Sequence, residues 1–143
     1  MLDDGDFLES AEVYGHYYGT SKKWVNEQLD KSLNVILEID WQGAAQVKAL
    51  FPQSCYIFII PPSLESLSHR LRKRAQDDEA IIARRMEEAR TVLKHITDAE
   101  FLVVNEDFAT ALEEIRAIIK VRSLSVEAQQ ARLGPLLARL TEG

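Results

Sequence analysis

The chain has 143 residues, 46% hydrophobic and 28% charged, with a formal net charge of −6. That length suits one domain with a real core, and the balance is that of a globular chain and not a disordered one. The longest apolar run, residues 57–62, is far short of the about 20 residues needed to span a bilayer, and the acidic balance argues against a general nucleic-acid binder. The opening MLDDGD has neither the basic nor the apolar stretch of a secretory signal. Cys55 is the single cysteine, so no internal disulfide can form; it reads as an inert core residue in a reducing, cytoplasmic setting.

In chain order, residues 1–20 mix aromatics, acids and glycines and read as short strands and turns. They include GHYYGTSK at 15–22, where two tyrosines sit between glycines that permit a tight turn. Thr20 or Ser21 can cap a helix through Trp24, Val25 and Leu29. LNVILEID, 33–40, is a near-continuous apolar run closing on carboxylates, the pattern of a strand buried on both faces of a parallel sheet. A short helix over 43–50 ends at Phe51-Pro52, and CYIFII, 55–60, is a second buried strand stopped by Pro61-Pro62. Ser63 caps a helix with Leu64, Leu67 and Leu71 on one face. Asp77-Asp78 opens a longer one through Met86 and Leu93 to about Ile96. FLVVN, 101–105, is a third strand, and from Phe108 the chain reads as helix to its end, broken at Gly134-Pro135. Strands separated by helices imply an α/β fold with a parallel sheet, whose ligands sit at the carboxyl ends of the strands.

Glu38 and Asp40 lie at such an end, and their spacing places them on one face of a strand. They could accept hydrogen bonds from a base or sugar, hold a hydrated magnesium ion, or simply be a solvated strand end; the pair alone leaves these open. Arg70, Arg72, Lys73 and Arg74, followed by Arg84 and Arg85 beyond QDDE, would put guanidinium forks on two joined helices, a match for polyphosphate oxygens. The default for such arginines is a wet helix face. His16, His69 and His95 are scattered without metal-ligand spacing, so no metal ligand is assigned.

Taken together, FLESAEVYGHYYGTSK, ILEIDWQGAAQVK, RLRKRAQD with ARRM, and VVNEDF resemble the guanylate kinase family in order and spacing, in its bacterial form. The resemblance covers essentially the whole chain. It implies a nucleoside monophosphate kinase fold and transfer of the γ-phosphoryl of ATP to GMP with Mg2+. It places Glu9, Tyr18, Thr20, Glu38 and Asp40 on GMP-contacting positions. Glu9 and Asp40 would accept from the guanine N1 and N2 hydrogens, Thr20 would bond the guanine, and Tyr18 would donate to the GMP phosphate. Arg70, Arg74 and Arg85 fall on lid arginines that neutralise phosphate charge, and Asn105 falls on the adenine side. The implied organisation is part of a GMP-binding subdomain at 1–20, core at 21–62, lid and flanking helices at 63–97, and core with a carboxyl-terminal helix at 98–143. GMP and ATP are the expected ligands, with no nucleic acid or membrane partner, and a homo-oligomer is left open.

The sequence also departs from the family. No GxxxxGK[ST] phosphate-binding loop occurs in these 143 residues, nor does the serine/arginine segment that grips the GMP phosphate. His16 stands where asparagine is frequent, and Ala75 where glycine is usual. The expectation is therefore an amino-truncated kinase with exposed apolar strand edges, inactive as this chain alone. The other reading is a catalytically silent guanylate-kinase-like module that binds GMP or a partner protein. The joint retention of Glu9, Tyr18, Glu38, Asp40 and the lid arginines favours the enzyme.

Overall fold

A computed structural model describes residues 7–13, 16–74 and 79–142, with side chains for 20–73 and 79–142. The chain forms two compact units, Met1–Tyr56 and Ile57–Gly143.

In the first unit, β1 (Phe7–Val13) pairs antiparallel with β2 (His16–Ser21). Helix α1 (Lys22–Asp30) follows at once, because the Ser21 Oγ accepts from the Trp24 amide at 3.3 Å. Of the two cap candidates Ser21 is used, and Thr20 stays in the strand. Ser32 ends the turn after α1 with φ 60°, the left-handed conformation. There the Ser32 amide donates to the Leu29 carbonyl at 2.9 Å and the Leu33 amide to that of Gln28 at 3.1 Å, a Schellman termination normally built on glycine.

The expected strand at 33–40 does not form. The segment has no ladder partner among the described residues, and Ile36 is 75% exposed. An apolar run signals a tendency to be covered, but a strand also needs a neighbour for its amides and carbonyls. Helix α2 (Trp41–Leu50) begins two residues earlier than its expected start at Gly43, because Asp40 caps it, and it packs against β1.

The second unit is built on β3 (Ile57–Ile60) and β4 (Phe101–Val104), paired parallel with Ile57 opposite Phe101. The parallel pairing with intervening helices agrees with the α/β reading. Between the strands run α3 (Leu64–Arg74), α4 (Glu79–Leu93) and a single 3-10 turn at Ile96–Asp98. The expected helix start at Asp77-Asp78 and the substitution site Ala75 lie outside the described residues.

Burial of β3 and β4 is partial, contrary to the expectation of fully buried strands. Phe58 and Val103 are buried at 7% and 1% exposure, whereas Ile59 and Leu102 remain about half exposed at 51% and 49%. Phe58 is paired with Leu102 and Ile59 with Val103, so each face of the ladder carries one buried and one exposed residue and neither face is fully covered. Helix α5 (Phe108–Ser123) packs on β4, with Ala111 and Val103 both buried.

The tail is three helices and not one broken helix. The chain breaks at Leu124, Ser125 caps α6 (Val126–Arg132) by accepting from the Ala128 amide at 3.2 Å, and Gly134-Pro135 opens α7 (Gly134–Thr141). Proline there occupies the first turn, where a missing amide hydrogen is harmless. Among the described residues no helix is long and apolar enough to cross a membrane.

Candidate active site

The first group of candidate residues lies in the first unit. The β1–β2 register sets Glu9 opposite Thr20 and Ala11 opposite Tyr18. Directly opposed residues share a face, as do residues two apart in one strand, so Glu9, Tyr18 and Thr20 occupy one face of the hairpin. Thr20 is half-buried; the side chains of Glu9 and Tyr18 lie outside the described residues.

Asp40 is half-buried at the start of α2, where its Oδ1 accepts from the Gly43 amide at 2.9 Å. A carboxylate at a helix N-terminus meets both a free amide and the positive end of the helix dipole. One oxygen is thus committed to the helix. Glu38 is exposed on the extended segment before it. The reasoning that put Glu38 and Asp40 on one face of a strand does not apply, because no strand forms there.

A second group lies in the other unit, at the carboxyl ends of β3 and β4. The Asn105 amide donates to the Ile60 carbonyl at 2.8 Å, carrying the ladder one residue past β4. The Asn105 carbonyl accepts from Arg70 Nη2 at 2.9 Å, so an expected lid arginine and the expected adenine-side residue are in direct contact. Arg85 is half-buried on α4. Arg74 is the last residue of α3, and its side chain lies outside the described residues. Helices α3 and α4 pack together, and an exposed ion pair between Arg72 and Glu79 at 3.2 Å joins them.

Just beyond Asn105, Asp107 caps α5. Its Oδ2 accepts from the Thr110 hydroxyl at 2.7 Å and from the Thr110 amide at 3.0 Å. These bonds, the hydroxyl's first, hold the Asp107 carboxyl below its ordinary value.

An open groove of about 460 Å³ runs beside α3 and α4, lined by Leu64, Glu65, Ser68, His69, Arg72 and Met86. It takes in Arg72 of the basic run but not Arg70, Arg85, Glu38 or Asp40, and Glu65 places a carboxylate in it. Among the described residues no group of three or more His, Cys, Asp or Glu could hold a metal ion. Sequence reasoning missed the capping role of Asp40, although aspartate three residues before a helical glycine is a readable cap signal. It also missed the Arg70–Asn105 contact, which spans 35 residues of chain and leaves no local signal.

Comparison with known proteins gives a consistent answer. The sequence profile described as guanylate kinase matches residues 1–122. The chain is 49% identical over 140 residues to a guanylate kinase of Pseudomonas fluorescens (strain Pf0-1), covering 98% of this chain and 68% of that one. It is likewise 49% identical to one from Saccharophagus degradans, with the same coverage, and 43% identical to one from Vibrio cholerae. Among solved structures, guanylate kinase from Anaplasma phagocytophilum superposes with a TM-score of 0.74 at 27% identity, over 92% of this chain and 68% of that one. With the profile spanning most of its length and relatives near half identity, the chain belongs to the guanylate kinase family.

Proposed function

We propose that this chain carries the GMP-recognition hairpin, the lid and the adenine-side segment of an enzyme that phosphorylates GMP with ATP, the reaction for which its family is named. The observation that carries the reading is the hairpin register, which aligns Glu9, Tyr18 and Thr20 on one face while α2, capped by Asp40, packs against β1. The carboxylates of Glu9 and Asp40 would accept the N1 and N2 hydrogens of guanine. Adenine presents an unprotonated N1 and no N2 amine, so it would leave those acceptors unpaired, and such a site discriminates strongly. Glu38 would assist from the segment before Asp40, Thr20 would bond the base, and Tyr18 would donate to the GMP phosphate.

Arg74 and Arg85 are the candidates for neutralising phosphate charge during transfer; Arg70, expected to share that task, has one guanidinium nitrogen on the carbonyl of Asn105, the expected adenine-side residue. Magnesium enters as part of the substrate, MgATP. The organisation proposed is a GMP-binding part at 1–20, core at 21–62 and 98–143, and a lid with its flanking helices at 63–97.

These 143 residues contain no GxxxxGK[ST] loop, so by themselves they are expected to bind GMP without turning it over. The test joins a P-loop segment from a Pseudomonas fluorescens guanylate kinase to this chain and follows ADP release with MgATP. GMP-dependent release absent with AMP supports the reading. A folded chimera that releases ADP equally with GMP and AMP overturns it.

A further inference from the structure

We propose that Arg70 is a positioning residue, which pins the base of the α3–α4 hairpin to the carboxyl end of β4 and so fixes the point beyond which the lid can move. The proposal rests on the kinase reading only for what the lid does; the pin itself is read from the contacts.

Both peptide groups of Asn105 are engaged. Its amide ties β4 to Ile60 of β3, and its carbonyl receives the half-buried Arg70 guanidinium at 2.9 Å. The chain from Ile60 to α3 is only Pro61-Pro62-Ser63, two residues of fixed φ followed by a cap, the Ser63 Oγ accepting from the Ser66 amide at 3.0 Å. The first seven residues of α3, Leu64 to Arg70, are therefore held at both ends. One end is a stiff proline link and the other a charged hydrogen bond to the sheet.

Beyond Arg70 the character of the ties changes. Arg72 reaches Glu79 on α4, not the sheet, and both side chains are largely solvent-exposed, at 56% and 79%. An exposed ion pair of this kind adds little restraint. Among the described residues the hairpin is thus anchored to the sheet at Arg70, and Arg72 just beyond is tied to α4 instead. A guanidinium committed to a main-chain carbonyl also keeps Asn105 in place where the strand ends face a ligand. That role differs from the charge neutralisation assigned to Arg74 and Arg85.

Amide hydrogen exchange tests this, with wild type, Arg70→Ala and Arg70→Lys compared in the 143-residue chain and, with and without MgATP, in the P-loop chimera. In wild type, amides of α3 that precede Arg70 should exchange more slowly than those between Arg70 and Arg74. Arg70→Ala should speed exchange at Asn105 and in the first part of α3 by about tenfold, the loss of one charged hydrogen bond. Arg70→Lys, which keeps a cationic donor, should restore most of the protection. In the chimera, MgATP should slow exchange in the hairpin beyond Arg70 and leave the already protected base unchanged. Exchange at Asn105 within twofold of wild type in Arg70→Ala overturns the pin, as does Arg70→Lys behaving like Arg70→Ala. A pin effect that survives while MgATP protects nothing in any of the three folded chimeras overturns the kinase reading instead.

Discussion

Asp40 performs two tasks in the proposed scheme, and two substitutions separate them. One carboxylate oxygen caps α2 through the Gly43 amide at 2.9 Å, and the other is assigned to guanine. Asp40→Ala removes both. Losing the cap should cost about 1 kcal/mol of stability, equivalent to about 3–4 °C in Tm for a chain of this size. Losing a charged acceptor should weaken GMP by about 1.5–3 kcal/mol, roughly 10- to 150-fold. Asp40→Asn keeps a good capping oxygen, so its Tm should stay within about 1 °C of wild type, but the negative charge facing the base is gone. Thermal denaturation followed by circular dichroism and an NMR titration of GMP measure the two effects separately. If Asp40→Asn binds GMP as tightly as wild type, Asp40 does not read the base. If Asp40→Ala melts at the wild-type temperature, the cap carries no weight.

Other outcomes follow from the same structure. Ser32→Gly should raise stability by about 0.5–1 kcal/mol in urea denaturation, since glycine takes the left-handed position without a Cβ clash. Asp107 has its carboxyl held low in the folded chain, so its contribution to stability is present above the ordinary carboxylate range and is lost as pH falls through its folded value. Tm measured for wild type and Asp107→Ala should accordingly differ at pH 7 and converge toward pH 2. In the P-loop chimera, Arg85→Ala should lower turnover more than it raises the GMP KM, because lid charge matters most during transfer. The 143-residue chain alone should release no ADP above background in a coupled assay with GMP and MgATP, since no residue run in it replaces a phosphate cradle.

Local signals were the legible ones. Ser21 and Ser63 each cap a helix through the amide three residues on, a pattern readable without any fold. The apolar runs at 57–60 and 101–104 became parallel strands because each supplies the other's ladder. LNVILEID has the same composition but no such neighbour among the described residues, so composition alone misread it. The break at Leu124-Ser125 was overlooked because neither residue is proline or glycine; the signal there is a serine cap within an otherwise helical run. At the site, the hairpin spacing supports the grouping of Glu9, Tyr18 and Thr20 through register. The link from Arg70 to Asn105 depends on how α3 returns over the strand end, which no local pattern encodes.

The central claim is that this chain reads guanine, and the most direct measurement is an NMR titration of the 143-residue wild-type chain with GMP and, separately, AMP. The account predicts that GMP binds at least about tenfold more tightly, as expected when a mismatched base leaves charged acceptors unpaired, with the largest shifts at Thr20 and in residues 38–44. Equal affinities for the two nucleotides, or GMP shifts confined to residues 57–142, would contradict it.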